Sequence, residues 1–467
     1  MLTYFPKCFS TRAIMGYMVT LAIASLVFYK YALPFQFMLF GFMPVCIFFL
    51  YGNRLTMDWQ RFSPRMFTKR VFLTALVIRI CYVVFIYFYY ISVTGIPHMF
   101  HPGDELMYRD MGLVWLQRGY DAFRYEMKQY FAFSDSGYCW WLAIEHLVFG
   151  AHELPPRIIK CLIDAFSCVL MYRLAKRSFG ESAGRMAAIF YMLMPNMWYY
   201  CGVTLKETEM TFLVILFAER ADYVLRSPKI TIKELVIPAL TILAVFTFRT
   251  ALGAVMFAAL AAALIFSSSK QLVLWKKILY SSIFALWMFL TIGVEIVQET
   301  QQLWSGRTEN QSVGYEDKSN LVGGNKFAQY ATAAVFAPAI FTIPFSSMVE
   351  TPDQENQMMM NGANFIKNIM SGFTIFALFS LLFRGEWRKH VLTIALTSGY
   401  LVVLVFSTFA HSERFHFPVL AFELMFAAYG VSLLKNKHKR WFVIWMMIIC
   451  VANVAWAWIK LAGRGMV

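Results

Sequence analysis

Charge is scarce in this sequence. Only 15% of its 467 residues are Asp, Glu, Lys or Arg, against 59% hydrophobic. A soluble chain of this length needs far more polar surface, which sets aside a large water-soluble helical protein. Acids are the scarcer sign, 27 against 42 Lys and Arg, for a net charge of +15. In a soluble protein that excess would suggest nucleic acid. Here the position of the charges matters more than their sum, and no nucleic acid is expected among the partners. Alternation of apolar and polar residues is lacking too, which argues against a β-barrel. No close cysteine pair of the metal-binding kind occurs. Cys8, Cys46, Cys81, Cys139, Cys161, Cys168, Cys201 and Cys450 are scattered, mostly in apolar runs, and read as small hydrophobes. No cleavable signal pattern follows the first apolar segment, no internal repeat is evident, and no polar stretch is long enough to fold alone.

Long apolar runs are what the chain has instead. Runs of about 17–25 residues recur along it, each able to cross roughly 30 Å of hydrocarbon. Lipid leaves no solvent for backbone groups, so these runs should be α-helices. The expected fold class is therefore all-α, a polytopic transmembrane bundle of about thirteen spans. The candidate spans are 14–31, 33–51, 71–93, 157–175, 186–203, 208–226, 233–248, 251–267, 278–295, 365–383, 390–408, 417–434 and 441–459.

Lys and Arg orient the bundle, because they stay cytoplasmic in short loops. Every second connection is basic: Arg54, Arg61, Arg65, Lys69 and Arg70; Arg173, Lys176, Arg177 and Arg185; Arg226, Lys229 and Lys233; Lys270, Lys276 and Lys277; Arg384, Arg388 and Lys389; and "KNKHKR" at 435–440. Lys7 and Arg12 share that side. The pattern predicts a multi-pass protein of the cytoplasmic membrane with its N-terminus inside and its C-terminus outside.

Two outer segments are long. The first, 94–156, opens with "HPGDELMYRDMG" and ends in "YCWWLAIEHLVFG", a stretch of about a dozen residues expected to lie in the interface. The second, 296–364, contains "AAVFAPAIFTIPF", short and interrupted by proline, and reads as re-entrant or interfacial. The expected organisation is an N-terminal hairpin with its basic loop over 1–70, a core over 71–295, the outer segment over 296–364 and C-terminal helices over 365–467.

With this topology several polar residues reach the same outer surface. They are Asp104 and Glu105 after the third span, Arg157 at the start of the fourth, and Lys206 and Glu207 between the fifth and sixth. Arg249 lies between the seventh and eighth, and His411, Glu413 and Arg414 between the eleventh and twelfth. Cations at the lipid–water boundary suit a phosphate headgroup, with Arg gripping its oxygens bidentately. A carboxylate beside them can take a proton or hold a divalent cation, for which Asp104 and Glu105 are the candidates. A lipid-linked sugar phosphate would use both. Asp104 would accept the acceptor's proton while the cations stabilise the departing phosphate. Each residue also has a plainer reading. Asp104 or Glu105 is a solvated loop acid, Arg249 a snorkelling side chain, His411 a polar cap, and Lys206 with Glu207 a local ion pair. Deeper in the bundle, Arg79 and Asp164 fall mid-span, either as an ion pair or as part of a buried polar path.

These motifs, in this order, resemble the GT-C superfamily of integral-membrane glycosyltransferases, particularly the bacterial relatives of protein O-mannosyltransferases and lipid A aminoarabinose transferases. "GDELMYRD" occupies the place of that family's acidic pair. "WLAIEHLVFG" followed by "LPPRIIKCLIDAFSCVLMYRLAKRSFG", then "MLMPNMWYYCGVTLKE" and "SERFHFPVLAFELMFAAYG", is similar to its later landmarks. Two extra spans come first here, so the acidic pair follows the third span where the family's pair follows the first. The resemblance implies a polyprenyl-phosphate-linked sugar donor and an inverting transfer at the outer face, to a glycan, lipid or protein acceptor. It implies Asp104 as base with Glu105 beside it. Lys206, Arg249 and Arg414 would hold the lipid phosphate and His411 would assist, with Glu207 and Arg157 in the same set. Two other classes fit a multi-span chain. A polymerase or ligase of polysaccharide repeat units would show outer Arg and His more than a paired acid. A transporter would show repeats and midplane charges.

Overall fold

The computed structural model describes residues 2–227, 232–266, 325, 337–352, 354–405, 410–434 and 439–467. Among them the chain is helical, with no strand beyond an isolated pairing of Ala32 with Val349. The expected span 278–295 and most of the second outer segment lie outside the described residues.

Three peripheral helices come first: α1 (Lys7–Val27), α2 (Phe35–Arg61) and α3 (Pro64–Thr94). Ser63 caps α3 by accepting from the Met66 amide at 3.4 Å, Pro64 takes the first-turn position that needs no donor, and Gly95 ends it at φ 79°. Its 31 residues reach about 46 Å, well beyond the hydrocarbon. The segment expected to lie outside, 94–156, folds as α4 (Gly103–Arg118), α5 (Tyr120–Tyr130) and α6 (Phe133–Phe149). At 17 residues α6 is longer than the dozen expected, because its first turn recruits the polar residues Ser134 and Asp135 ahead of the apolar run.

The core follows: α7 (Leu154–Phe179), α8 (Glu181–Leu193), α9 (Pro195–Cys201), α10 (Glu207–Arg226), α11 (Ile232–Phe246) and α12 (Thr250–Phe266). The expected span 186–203 is broken between α8 and α9. Met194 precedes Pro195 and adopts the extended conformation that proline imposes on its predecessor. The C-terminal part holds α13 (Glu355–Met359), α14 (Asn361–Phe383), α15 (Val391–Val405), α16 (Glu413–Leu433) and α17 (Lys439–Ala462). Among the described residues, seven helices are long and apolar enough to cross a membrane: α1, α2, α3, α14, α15 with the turn before it, α16 and α17. The remaining expected spans are either shorter apolar helices, as α11 and α12, or carry more charge, as α7 and α10.

Helix α16 is central, its most apolar window wholly buried. Close approach is set by glycine. A Cβ on Gly430 would stand 2.2 Å from the Phe373 carbonyl oxygen, and one on Gly362 would stand 2.1 Å from that of Gly41. These contacts seal α14 against α16 and α2, as small residues do between membrane helices. Beside them runs non-helical chain, residues 342–349, fully buried. Its backbone is satisfied by polar side chains of the spans. Asn368 Nδ2 donates to the carbonyls of Thr342 (2.5 Å) and Pro344 (2.9 Å), Lys367 Nζ to that of Ile343 (2.6 Å), and the Ser346 amide donates to Asn453 Oδ1 (2.6 Å). Irregular backbone survives at such depth only where protein supplies these partners.

Arg79 and Asp164 form the ion pair that their depths suggested, both buried, with Tyr191 Oη donating to the other Asp164 oxygen at 2.5 Å. The ends of the bundle differ in character. At one end Arg177 meets Glu219 (2.6 Å) and Asp222 (3.2 Å), Arg185 donates to the carbonyls of Trp59, Gln60 and Phe62, and Arg226 to that of Lys389. The 20 residues of α10 put about 30 Å between these basic connections and Glu207 at the other end.

Candidate active site

Four helix starts and one turn build the site. Asp104 lies in the first turn of α4, Glu207 opens α10, and Arg414 is the second residue of α16. Arg249 sits in the turn between α11 and α12, and Asp135 in the first turn of α6. Helix N-termini favour negative charge, which suits the three acids and any anion brought to them.

Arg414 is the hub. Its Nε donates to Glu207 Oε1 at 2.5 Å, and its Nη1 pairs with Asp104. Arg249 Nη2 reaches the same Glu207 oxygen at 3.3 Å, while its Nη1 donates to Tyr400 Oη at 3.1 Å. The Arg249 guanidinium also stands 4.4 Å from the centre of the Phe415 ring. Exposure rises outward along this chain, from Glu207 (0%) through Arg249 (10%) and Arg414 (20%) to Asp104 (52%). A buried carboxylate thus anchors two guanidiniums, and the open carboxylate lies at the mouth.

Lys206 forms the adjoining wall. Its ammonium donates to Asp135 Oδ1 (2.5 Å) and to the carbonyls of Phe248 (2.5 Å) and Ser134 (3.0 Å). Tyr108 Oη donates to the same Asp135 oxygen at 2.6 Å. Burial raises the Asp135 carboxyl, but the charge and hydrogen bond of Lys206, the Tyr108 hydroxyl and the Arg414 charge together outweigh it and leave the group below its ordinary value. Burial depresses the Lys206 ammonium in spite of Asp135. The result is a polar step tying α6 to the start of α10.

Glu105 and Arg157 make a separate, inward cluster. Glu105 is fully buried and accepts from the amides of Met99 (2.9 Å) and Thr204 (2.5 Å). His98 Nδ1 and Arg157 Nη2 stand 3.5 and 3.6 Å from it. Burial pushes the Glu105 carboxyl up, and His98, Arg157 and the Thr204 amide pull it down further, to below its ordinary value. Arg157 Nη2 donates to the Pro97 carbonyl at 2.5 Å, clamping the loop that leads into α4. His411 stacks on Trp456 of α17, ring centres 4.8 Å apart.

The structure therefore brings Asp104, Glu207, Arg249 and Arg414 into one connected set with Lys206 beside it. It turns Glu105 and Arg157 into the packing beneath and sets His411 against α17. Asp104 and Glu105 are committed to different partners, and among the described residues no group of three or more His, Cys, Asp or Glu is gathered as metal ligands. Asp135, Tyr108 and Tyr400 belong to the site and escape sequence reasoning. An acid in a helix's first turn and tyrosines in apolar helices are too common to stand out. Under α6 lies a further buried group: Lys160 Nζ is 3.6 Å from Glu209, and among the described residues neither Glu209 nor Glu145 has a hydrogen-bond partner for its carboxylate oxygens. Burial, reinforced by Glu209, raises the Glu145 carboxyl to about 8.

A helical membrane bundle with acids and guanidiniums gathered at one end is the architecture that the GT-C resemblance led one to expect. Residues 137–294, which include Lys206, Glu207 and Arg249, match the family model described as dolichyl-phosphate-mannose-protein mannosyltransferase. That match bears out the resemblance to the GT-C superfamily. Among solved structures, the Archaeoglobus fulgidus oligosaccharyltransferase, crystallised with zinc and sulfate, aligns at 13% identity and a TM-score of 0.38. The alignment covers 72% of this chain but only 45% of that one, so the chain spans less than half the length of that relative. No curated protein matches the sequence.

Proposed function

We propose that the protein transfers a sugar from a polyprenyl-phosphate-linked donor to an acceptor at the outer face of the cytoplasmic membrane. The observation that carries this reading is the Asp104–Arg414–Glu207–Arg249 chain. Two guanidiniums sharing one buried carboxylate hold their positive charge at a fixed place, preorganised for a phosphate rather than recruited by it. Asp104 is exposed and bound to the outer guanidinium. A lipid phosphate that engages Arg414 and Arg249 competes with Asp104 for that guanidinium and leaves its carboxylate to act as base.

The step then balances as follows. The acceptor's O–H or N–H proton passes to Asp104, and the heteroatom attacks the anomeric carbon. The bond from that carbon to the phosphate oxygen breaks, and polyprenyl phosphate leaves with the electron pair, its charge held by Arg414, Arg249 and Lys206. Attack opposite the leaving group inverts the anomeric configuration. Glu105 and Arg157 act from beneath, by fixing the loop and helix start that carry Asp104. Asp135 holds Lys206 in place.

The test compares membranes with and without the protein for lipid-linked sugars and for glycosylated acceptor. The reading requires donor to accumulate and a surface glycan to disappear when the protein is absent. Unchanged levels of both would refute it. Sidedness is tested separately: single cysteines at positions 104 and 414 must both react with an impermeant reagent from outside. Labelling from opposite compartments would dismantle the site.

A further inference from the structure

The first turn of α16 carries more than Arg414. Phe415, the next residue, packs its ring against the Arg249 guanidinium at 4.4 Å. Where this turn stands therefore sets both guanidiniums of the site. Helix starts are ordinarily fixed by a side chain that accepts from the first free amides. Ser412 occupies that position in α16, yet among the described residues its side chain makes no capping hydrogen bond.

The anchor comes from the buried side instead. His416 follows Arg414 by two residues, about 200° round the helix, and faces inward. Both of its ring nitrogens are engaged. Nδ1 lies 2.9 Å from Lys367 Nζ of α14, and Nε2 lies 2.7 Å from the Ala410 carbonyl oxygen. An ammonium can only donate, so Nδ1 accepts and the ring proton sits on Nε2, which donates to Ala410. Lys367 is buried as well. It also donates to the Ile343 carbonyl at 2.6 Å and stands 3.7 Å from Glu423. Glu423 is ten residues into α16, about 15 Å from its start. A polar chain thus runs from Glu423 through Lys367 and His416 to the non-helical stretch 410–412 that leads into α16. His411, stacked on Trp456, holds the same stretch from α17. Ionisable side chains inside a membrane bundle are costly and mark function. The transfer step derived above uses neither Lys367 nor His416.

We propose that His416 is a positioning residue for the donor phosphate. Held by Lys367 from beneath, its Nε2–H bond to Ala410 fixes the approach of the chain to α16, and with it Arg414 and the Phe415 ring beside Arg249. The proposal rests on the reading of a lipid-phosphate donor. A site that works by preorganised charge is sensitive to small displacements of the groups that carry it.

Two single variants separate the two bonds of the ring. His416→Asn keeps an oxygen for Lys367 near the Nδ1 position and is too short to reach Ala410. His416→Gln brings an amide N–H near the Nε2 position, keeps the Ala410 bond and gives up the one to Lys367. Each loses one buried hydrogen bond, so their melting temperatures should fall alike. Binding of radiolabelled polyprenyl phosphate to the full chain in phosphatidylcholine vesicles should part them. Its Kd should rise at least about tenfold in the Asn variant and stay within about threefold of the parent in the Gln variant. Amide exchange over residues 410–416, measured without lipid phosphate, should quicken in the Asn variant alone. Equal affinities in the two variants, parent-like affinity in the Asn variant, or equal exchange in the two overturns the proposal and leaves the ring as packing. A parent that binds no polyprenyl phosphate is a different result: it refutes the donor reading, and the proposal falls with it.

Discussion

Arg414 Nε lies 2.5 Å from Glu207 Oε1, and the same guanidinium reaches Asp104 through Nη1. Two residues some two hundred positions apart in sequence thus share a charge at the start of two different helices. Removing the guanidinium frees Glu207 to be held by Arg249 alone. Arg414→Ala should therefore weaken the lipid donor, raising its KM at least about tenfold, with a smaller effect on kcat. Steady-state transfer with varied lipid-linked donor measures it; an unchanged KM would remove Arg414 from the phosphate site.

Asp104 is the exposed member of the set. Asp104→Asn keeps size and hydrogen bonding but cannot accept a proton. Transfer should drop by about 10²–10⁴-fold while the melting temperature stays within a few degrees of the parent. Normal turnover by the Asn variant would mean that the base is another group.

Asp135 tests the wall. In Asp135→Asn the Lys206 ammonium keeps the Ser134 and Phe248 carbonyls and loses its charged partner. Lys206 is nearly buried and Asp135 a quarter exposed, so a cost of about 1–3 kcal/mol is expected. Activity should fall together with it, because α6 is then held to the start of α10 through the Ser134 carbonyl alone. The double change Asp135→Asn with Lys206→Met should recover stability without recovering transfer. Recovery of both would make the pair purely structural.

Much of this arrangement is legible in the sequence, for physical reasons. Span length and the alternation of basic connections give helix order, and hence which connections share an end of the bundle. That is why Asp104, Glu207, Arg249 and Arg414 could be named before their contacts were known. Pairing could not be read, because it depends on how helices rotate about their axes. Glu105 looks equivalent to Asp104 in sequence. Neighbours in one helical turn point about 100° apart, and this one residue's rotation turns Glu105 onto the Met99 and Thr204 amides while Asp104 faces out. The Asn368, Lys367 and Asn453 lattice was equally hidden. Polar residues in an apolar run show that something needs them, but not that residues 342–349 thread beside them.

Arg79 and Asp164 are buried to 0% and 2% exposure, inside two different helices. Breaking the pair by Asp164→Ala leaves an uncompensated guanidinium and an unpaired Tyr191 hydroxyl. A loss of about 3–5 kcal/mol is expected. Arg79→Met combined with Asp164→Leu removes both charges and should return most of that stability. Thermal unfolding in detergent follows both variants. A double variant as unstable as the single would assign the pair a role beyond charge compensation.

Glu145 gives the pH dependence. Its carboxyl is pushed up from 4.5 to about 8, chiefly by burial, with Glu209 adding to it. A carboxyl with a raised folded value is protonated in the folded protein where the unfolded chain has already ionised. The folded state then holds the extra proton, and its stability falls as pH rises from about 4.5 to about 8, becoming level above that. Glu145→Gln keeps the neutral form at every pH. It should match the parent near pH 4.5 and become progressively more stable than the parent up to about pH 8. Melting curves of the two proteins across that range decide it. Parallel curves would show that Glu145 ionises normally in the folded protein, with Lys160 compensating its charge.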